Sequence, residues 1–147
     1  MNKQLVPKSH FHFIGVGGIG MSAVAMGLLK KGYSVTGSDL IKNNETNKLE
    51  ELGALIFTSQ TQHNIEFLTS KFNNKLINFV VSSAIKPENE ELSYCKRNNL
   101  PIKHRSDVLA MLMESYNYSI AIAAVILDKL CNPGIGTFTL LMKFPFS

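Results

Sequence analysis

The sequence predicts an α/β fold, with a doubly wound, mainly parallel sheet and helices on both faces. Short apolar runs alternate with segments whose apolar residues recur at helical spacing, which is the pattern of strands separated by helices. Each connection is long enough to hold a helix, as a parallel crossover requires. With 147 residues, of which 45% are hydrophobic and 18% charged, the chain has the composition of one globular domain with its own core.

The first part of the chain predicts three strands with two helices between them. The strands are short apolar runs bounded by polar residues or glycine. Each predicted helix is followed by a glycine, which is a common stop signal. The three strands are Phe11–Val16, Tyr33–Ser38 and Ala54–Phe57, and the two helices are Ile19–Lys31 and Thr46–Leu52.

The second part of the chain predicts three further strands and more helices. The polar stretch Thr58–Asn64 is interpreted as a loop, with a short helix after it. Leu76–Ser82 is rich in isoleucine and valine and is predicted to be a buried strand. The remaining elements are the helix Pro87–Asn98, the strand Pro101–His104, the helix Ser106–Glu114 with Ser106 as its N-cap, and a sixth strand that begins at Ser119–Ala123.

The charge balance and the cysteines narrow the class of protein. Lys and Arg outnumber Asp and Glu by 15 to 11, a net charge of +4 that favours anionic ligands, but no basic run with interleaved aromatics indicates nucleic-acid binding. Cys95 and Cys131 lack metal-ligand spacing, which predicts a reduced, cytoplasmic chain without a metal site. No signal peptide and no apolar run of about 18 residues is visible, so we expect a soluble protein without membrane insertion.

The glycines after the first strand carry the strongest functional signal. Gly15, Gly17 and Gly20 form a G-x-G-x-x-G pattern between a strand and a helix, and Gly18 adds a fourth glycine. The first glycine allows a tight turn, the second lets the backbone approach a diphosphate, and the third allows close packing of the helix on the sheet. Asp39, 19 residues after Gly20, stands where an acid accepts hydrogen bonds from ribose hydroxyls.

Two ligands fit this Rossmann-like pattern equally well. One is a dinucleotide such as NAD(P), and the other is a nucleotide-diphosphate sugar that lies across the same crevice. The spacing of the glycines does not separate them. In a purely structural alternative, the glycines only make a tight strand-to-helix turn and Asp39 caps a loop.

The segment HFIGVGGIGMSAVA (His12–Ala25) resembles the opening of the Mur ligases. Further similar segments follow in the same order as in that family, so that the resemblance covers residues 11–123. Ordinary dehydrogenases do not combine this glycine loop with the later SSAI and HR segments in this order. The further segments are VTGSD (Val35–Asp39), VVSSAI (Val80–Ile85), NEEL (Asn89–Leu92), LPIKHRSDVLAMLM (Leu100–Met113) and SIAIA (Ser119–Ala123).

The resemblance implies that residues 1–123 form the UDP-sugar-binding domain of a peptidoglycan-biosynthesis ligase, whose ligand is UDP-N-acetylmuramic acid or UDP. The glycine loop would hold the diphosphate, the end of the second strand would lie near the uridine, and Arg105 would reach a diphosphate or the lactyl carboxylate. In simpler alternatives the serines after the fourth strand only end that strand, and Arg105 is a solvated residue at a helix start. The implied substrate-binding set, with no catalytic residue, is Gly15, Gly17, Gly18, Gly20, Ser38, Asp39, Ser82, Ser83 and Arg105.

The resemblance ends where the family continues with the P-loop Gly-Thr-His-Gly-Lys-Thr. This chain has AVILDKLCNP (Ala124–Pro133) there, and no Gly-Lys dipeptide occurs anywhere in it. Full-length members are implied to use ATP and Mg²⁺ to join L-alanine to UDP-N-acetylmuramate. We expect this chain to bind neither ATP nor Mg²⁺, to be inactive alone, and to carry in residues 124–147 an aberrant tail that replaces the start of the ATP-binding domain. The alternative is the NAD(P)-binding domain of an oxidoreductase fragment.

Overall fold

A five-stranded parallel sheet forms the centre of the domain, in a computed structural model that describes residues 9–72 and 76–116. Its strands are β1 (His10–Ile14), β2 (Ser34–Ser38), β3 (Leu55–Phe57), β4 (Ile77–Val81) and β5 (Ile102–His104). The helices are α1 (Ile19–Lys30), α2 (Asn44–Glu51), α3 (Gln62–Lys71), α4 (Glu90–Arg97) and α5 (Arg105–Glu114). The strand order is β3-β2-β1-β4-β5 and every neighbouring pair is parallel, which confirms the predicted fold class.

The strand registers bring the carboxyl ends of the strands to one edge of the sheet. Ile14 pairs with Ser38 and Ser38 pairs with Phe57, while Val81 pairs with His104 on the other side of β1. The chain runs outward from β1 to β3 and then crosses to β4, so the strand order reverses between β1 and β4. In doubly wound sheets, ligands bind outside the carboxyl edge at this switch point. The loops after β1, β2, β4 and β5 are therefore the candidate ligand-binding loops.

The two faces of the sheet are covered by different helices. Helix α1 packs against α2 and α5 on one face, and α3 packs against α4 on the other. The first core cluster is Phe11, Phe13, Val16, Met21, Val24, Ala25, Leu28, Val35, Leu49, Ala54, Val80, Val108 and Leu112. The second core cluster, between the sheet and α3 and α4, is smaller and consists of Ile65, Leu68, Ile77, Phe79 and Cys95.

Asparagine side chains cap the starts of α2 and α4. The Asn43 side chain accepts from the amide of Thr46 at 3.0 Å, and the amide of Asn43 donates to Thr46 Oγ1 at 2.9 Å, which makes a capping box. Helix α2 therefore begins two residues before the predicted start at Thr46. Asn89 caps α4 by accepting from the amide of Leu92 at 3.0 Å, so the predicted start at Pro87 is wrong and that residue lies in the preceding loop.

The sequence interpretation was wrong in two further places. The second half of the predicted loop Thr58–Asn64 belongs to α3, which is ten residues long. Its apolar signal is short, because only Ile65 and Leu68 are fully buried hydrophobic residues on it. Helix α5 has His104 as its N-cap instead of Ser106, since His104 Nδ1 accepts from the amide of Ser106 at 3.3 Å.

Some predictions fall on parts of the chain outside the described residues. These are the sixth strand at Ser119–Ala123, the aberrant tail 124–147 and Cys131. Within residues 9–72 and 76–116, no helix combines the length and apolar character that crossing a membrane would need.

Candidate functional site

The glycine loop between β1 and α1 is tied to the end of β2. The amides of Gly15 and Val16 both donate to the carbonyl of Ser38, at 2.8 and 3.0 Å. Gly15 has a φ of +77°, a conformation that side chains rarely adopt, and a Cβ there would lie 2.7 Å from Ile85 Cδ1. The first glycine of the motif therefore makes the tight turn and also leaves room for the loop after β4.

The second motif glycine, Gly17, is held between two side chains of the loop after β2. Its amide donates to Asp39 Oδ2 at 2.8 Å, and its carbonyl accepts from Asn43 Nδ2 at 3.0 Å. The other carboxylate oxygen of Asp39 accepts from the amide of Ile41 at 3.1 Å. A Cβ on Gly17 would lie 2.8 Å from Asp39 Oδ2, so this glycine is required by its own neighbours. Asp39 lies against the glycine loop, and the Gly17 amide already has an acceptor.

The third motif glycine, Gly20, makes room for Arg105. A Cβ on Gly20 would collide with Nη1 of Arg105 and lie 3.2 Å from its Cζ. Close packing of α1 on the sheet was the predicted reason for this glycine, whereas the nearest neighbour is the guanidinium of the first residue of α5. Arg105 is half-buried and lies against the first turn of α1. The structure thus brings together Arg105 and the glycine loop, which are 85 residues apart in the chain.

The first turn of α1 has no side chain of its own to bind its amides. Its N-cap is Gly18, which makes no side-chain cap, and the first turn contains no acidic residue. The first amides of an α-helix have no partner within the helix and carry a partial positive charge. Together with the guanidinium of Arg105, this helix end is a positively polarised surface that would attract an anion.

Ser82 and Ser83 lie on the other side of the glycine loop, after β4. The carbonyl of Ser82 accepts from the amide of Ile85 at 3.2 Å, which closes a tight turn, and Ser83 is exposed. An open cavity of about 340 Å³ adjoins this turn. The Asn89 side chain donates to Gln60 Oε1 at 3.0 Å across one wall of the cavity. The lining residues are Gln60, Ala84, Ile85, Lys86, Glu88 and Asn89.

Ser38 is placed differently from the other predicted site residues. Its side chain is fully buried and its hydroxyl donates to Glu91 Oε2 at 2.5 Å. Its carbonyl receives the amides of Gly15 and Val16. Ser38 therefore binds the glycine loop through its carbonyl oxygen. Its hydroxyl binds the buried Glu91 and does not face the open edge of the sheet.

A row of polar side chains, all buried except that of Ser34, lies between the sheet and helices α3 and α4. The Thr36 hydroxyl lies 2.9 Å from His10 Nε2 and 2.8 Å from His12 Nδ1. Glu91, on α4, accepts from Ser38 and also from Asn64 Nδ2 at 2.8 Å. Burial, and next to it the neighbouring His12, lowers the pKa of His10 to about 4. We name this row the polar ladder, and its members are His10, His12, Ser34, Thr36, Ser38, Asn64 and Glu91.

The sequence interpretation assigned no role to most of the polar ladder. A signal was present, because polar and apolar residues alternate in HFHF (His10–Phe13) and in SVT (Ser34–Thr36). Strict alternation in a strand normally places the polar residues in solvent. Here α3 and α4 cover the two histidines, so that His10 is 1% exposed and His12 is not exposed at all.

The described residues do not fit an ATP site of the P-loop type. Such a site needs a lysine at the end of the glycine loop, where it neutralises the phosphates. The loop Gly15–Gly20 is followed by Met21 and Ser22, and the cation against α1 is Arg105 from another element. The glycine loop therefore lacks the lysine that an ATP site of this type requires.

A parallel sheet with this strand order, and with a glycine loop and an arginine at its switch point, defines a doubly wound, Rossmann-like α/β domain. The family model described as "Mur ligase family, catalytic domain" matches residues 10–117. The chain belongs to the Mur ligase family.

Individual relatives agree with this family. The chain is 65% identical over 123 residues to a UDP-N-acetylmuramate–L-alanine ligase of Prochlorococcus marinus subsp. pastoris, covering 84% of this chain and 26% of the relative. It is 45% identical over 124 residues to the ligase of the same name from Nostoc punctiforme, covering 77% and 26%. The crystal structure of UDP-N-acetylmuramate–alanine ligase from Thermotoga maritima matches with a TM-score of 0.60 and 27% identity, covering 71% of this chain and 23% of that one. The chain spans about a quarter of the length of the curated relatives it matches.

Proposed function

We propose that this chain is the UDP-N-acetylmuramic-acid-binding domain of a peptidoglycan ligase. The observation that carries the proposal is the position of Arg105 against Gly20, at the first turn of α1. This turn lies at the switch point of the sheet. Two relatives of the chain carry the name UDP-N-acetylmuramate–L-alanine ligase. The reaction proposed for the whole protein is the ATP-dependent addition of L-alanine to UDP-N-acetylmuramate, and this chain contributes the binding of the UDP-sugar.

The diphosphate is proposed to bind at the first turn of α1. Gly18 and Gly20 place no side chain at two positions of this turn, so phosphate oxygens can approach the amides there closely. The guanidinium of Arg105 supplies a full positive charge and parallel donors for the same oxygens. The amide of Gly17 contributes less to binding of the diphosphate, because it already donates to Asp39.

The remaining parts of the ligand are proposed to lie on either side of the diphosphate. Asp39 lies on the β2 side, and its carboxylate oxygens each have lone pairs beyond the one bond that each accepts from an amide. Ribose hydroxyls are suitable donors for them. Ser82, Ser83 and the cavity beside Ile85 lie on the β4 side and are proposed to contact the sugar.

The dinucleotide alternative is not proposed. The family of the chain is that of the Mur ligases, and its relatives are named for a UDP-sugar. ATP and Mg²⁺ belong to the proposed reaction of the whole protein, and no residue of this chain is assigned to either. A cytoplasmic location is proposed as well, and the free thiol of Cys95 agrees with a reducing compartment.

Titration calorimetry with the full chain tests the proposed ligand. UDP-N-acetylmuramic acid and UDP should bind, and NAD(H) should bind far more weakly. Arg105→Gln should raise the Kd for UDP-N-acetylmuramic acid by about tenfold or more, since a charge-assisted hydrogen bond contributes about 1.5–3 kcal/mol. Arg97→Gln removes the same charge from the exposed carboxyl end of α4, over the ring of Tyr94, and should leave this Kd unchanged within about twofold. Binding of NAD(H) without binding of either uridine nucleotide would contradict the proposal.

A further inference from the structure

Glu91 is a fully buried acid in the first turn of α4, outside the proposed ligand contacts. Burial of an ionised carboxylate costs several kcal/mol unless donors compensate it. Ser38 Oγ donates to one oxygen at 2.5 Å, and Asn64 Nδ2 donates to the other at 2.8 Å. An apolar residue of the same size would avoid this cost. We therefore expect Glu91 to have a role that depends on the geometry of its hydrogen bonds.

We propose that Glu91 is a positioning residue for the glycine loop and for the loop after β3. The proposal rests on the proposed function of the glycine loop. The first connection runs through Ser38, whose hydroxyl binds Glu91 and whose carbonyl binds the amides of Gly15 and Val16. Only one residue therefore stands between the buried carboxylate and the turn that opens the glycine loop.

The second connection runs through Asn64 to the cavity wall. The side-chain amide of Asn64 donates both to Glu91 Oε1 and to the carbonyl of Ser59, at 2.8 and 2.7 Å. Gln60, which follows Ser59 in the chain, lines the cavity and accepts a hydrogen bond from Asn89 of the loop before α4. Glu91 thus joins three loops of the carboxyl edge: those after β1, β3 and β4.

The Thr36 hydroxyl couples the hydrogen-bond directions of the two histidines of the polar ladder. The Thr36 hydroxyl has one proton, so it donates to one imidazole and accepts from the other. If it donates to His12 Nδ1, the ring proton of His12 is on Nε2, which lies 3.5 Å from Glu91 Oε1. Among the described residues this Nε2 has no hydrogen-bond partner, so its proton is best placed toward the carboxylate. In that arrangement the imidazole N–H lies near Glu91, whose hydrogen bonds come from Ser38 and Asn64.

Two variants of Glu91 and a control in the full chain test the proposal. Glu91→Ala leaves the Ser38 and Asn64 donors unpaired and should raise the Kd for UDP-N-acetylmuramic acid by about tenfold or more. It should also speed amide hydrogen exchange at Gly15 and Val16 beyond any change in α5. Glu91→Gln still accepts from one donor and can donate to the Ser38 hydroxyl, so it should bind within about threefold of the parent.

Cys95→Ala is the matched control, because Cys95 is fully buried on the same helix, one turn later, in the second core cluster. It should lower the Tm, with the Kd within about twofold of the parent and no selective exchange at Gly15 and Val16. If Glu91→Ala changes binding and exchange no more than Cys95→Ala does, the positioning role is excluded.

Two further outcomes remain decisive. If Glu91→Ala does not fold, Ser38→Ala breaks the first connection alone and is judged by the same two measurements. If the parent binds neither UDP-N-acetylmuramic acid nor UDP, the proposed function fails. Amide hydrogen exchange at Gly15 and Val16 then decides by itself whether Glu91 has the positioning role.

Discussion

The two faces of the sheet are built from the same strands with opposite chemistry. On β1, Phe11 and Phe13 enter the first core cluster, whereas His10 and His12 belong to the polar ladder. On β2, Val35 likewise enters the first cluster and Thr36 the ladder. One face is held by apolar contact with α1, α2 and α5, and the other combines a small apolar cluster with directed hydrogen bonds to α3 and α4.

This difference indicates a division of roles between the faces. Apolar burial stabilises a fold without specifying direction, so a large cluster tolerates small shifts of its members. Hydrogen bonds require donor and acceptor within about 3 Å and in line, so a buried row of them fixes relative positions. The polar ladder ends at Ser38 and Glu91. The carbonyl of Ser38 accepts from the amides of Gly15 and Val16, so this end of the ladder contacts the glycine loop. The first face therefore contains the larger apolar core, and the hydrogen bonds of the second face fix the position of the end of β2, which binds the glycine loop.

The largest expected effect is the loss of stability when a side chain of the apolar face is truncated. Leu28→Ala, at a fully buried position in the first core cluster, should lower the free energy of unfolding by about 2–5 kcal/mol. Leu29→Ala is the matched control on the same helix, since Leu29 is only partly buried and should cost clearly less. Urea denaturation measures both. If the two variants lose the same amount, burial against the sheet does not explain the stability of this face.

The sequence was sufficient to predict the strands of the sheet and the fold class. The runs around Phe13, Val35 and Val80 are apolar, their spacing shows strands and helices, and the glycine motif indicates the switch point. The exact starts of α2 and α4 were not predictable from apolar periodicity, because Asn43 and Asn89 set them through side-chain hydrogen bonds.

The ladder face was beyond sequence reasoning for a different reason. The partners are far apart in the chain, since Ser38 and Glu91 are separated by 53 positions and Asn64 and Glu91 by 27. Local pattern shows that His12 alternates with phenylalanines, but it does not show which helix covers the histidine. The same limit applies to Gly20, whose neighbour Arg105 comes from the last described helix. Contacts of this kind depend on how the crossovers fold over the sheet.

The second prediction concerns acidification of the ladder face. Burial, with His12 beside it, lowers the pKa of His10 from 6.5 to about 4. Between these pH values the unfolded chain binds a proton at His10 and the folded chain does not. The free energy of unfolding should therefore fall as the pH falls through this window, by up to about 1.4 kcal/mol per pH unit from this group. Urea denaturation at several pH values between 7 and about 4 measures the slope.

A variant isolates the contribution of His10 from that of other titrating groups. His10→Phe removes the titration but keeps a ring to stack on Phe72, whose centroid lies 4.2 Å from that of His10. The slope of stability against pH should be smaller in His10→Phe than in the parent. Leu29→Ala, on the other face, should shift the whole curve without changing its slope. Equal slopes in His10→Phe and the parent would show that His10 does not titrate differently on folding.

The smallest expected effect tests whether the ladder depends on its hydrogen bonds or only on its packing. Thr36→Val keeps the shape of a buried side chain but removes the hydroxyl that bridges His10 Nε2 and His12 Nδ1. It should lower the free energy of unfolding by about 1–3 kcal/mol, because both imidazoles lose a partner in a buried site. Thr36→Ser keeps the hydroxyl and loses one methyl group, so it should cost only about 0.8 kcal/mol. If the valine variant is at least as stable as the serine variant, packing holds this face as it holds the other, and the contrast between the two faces is lost.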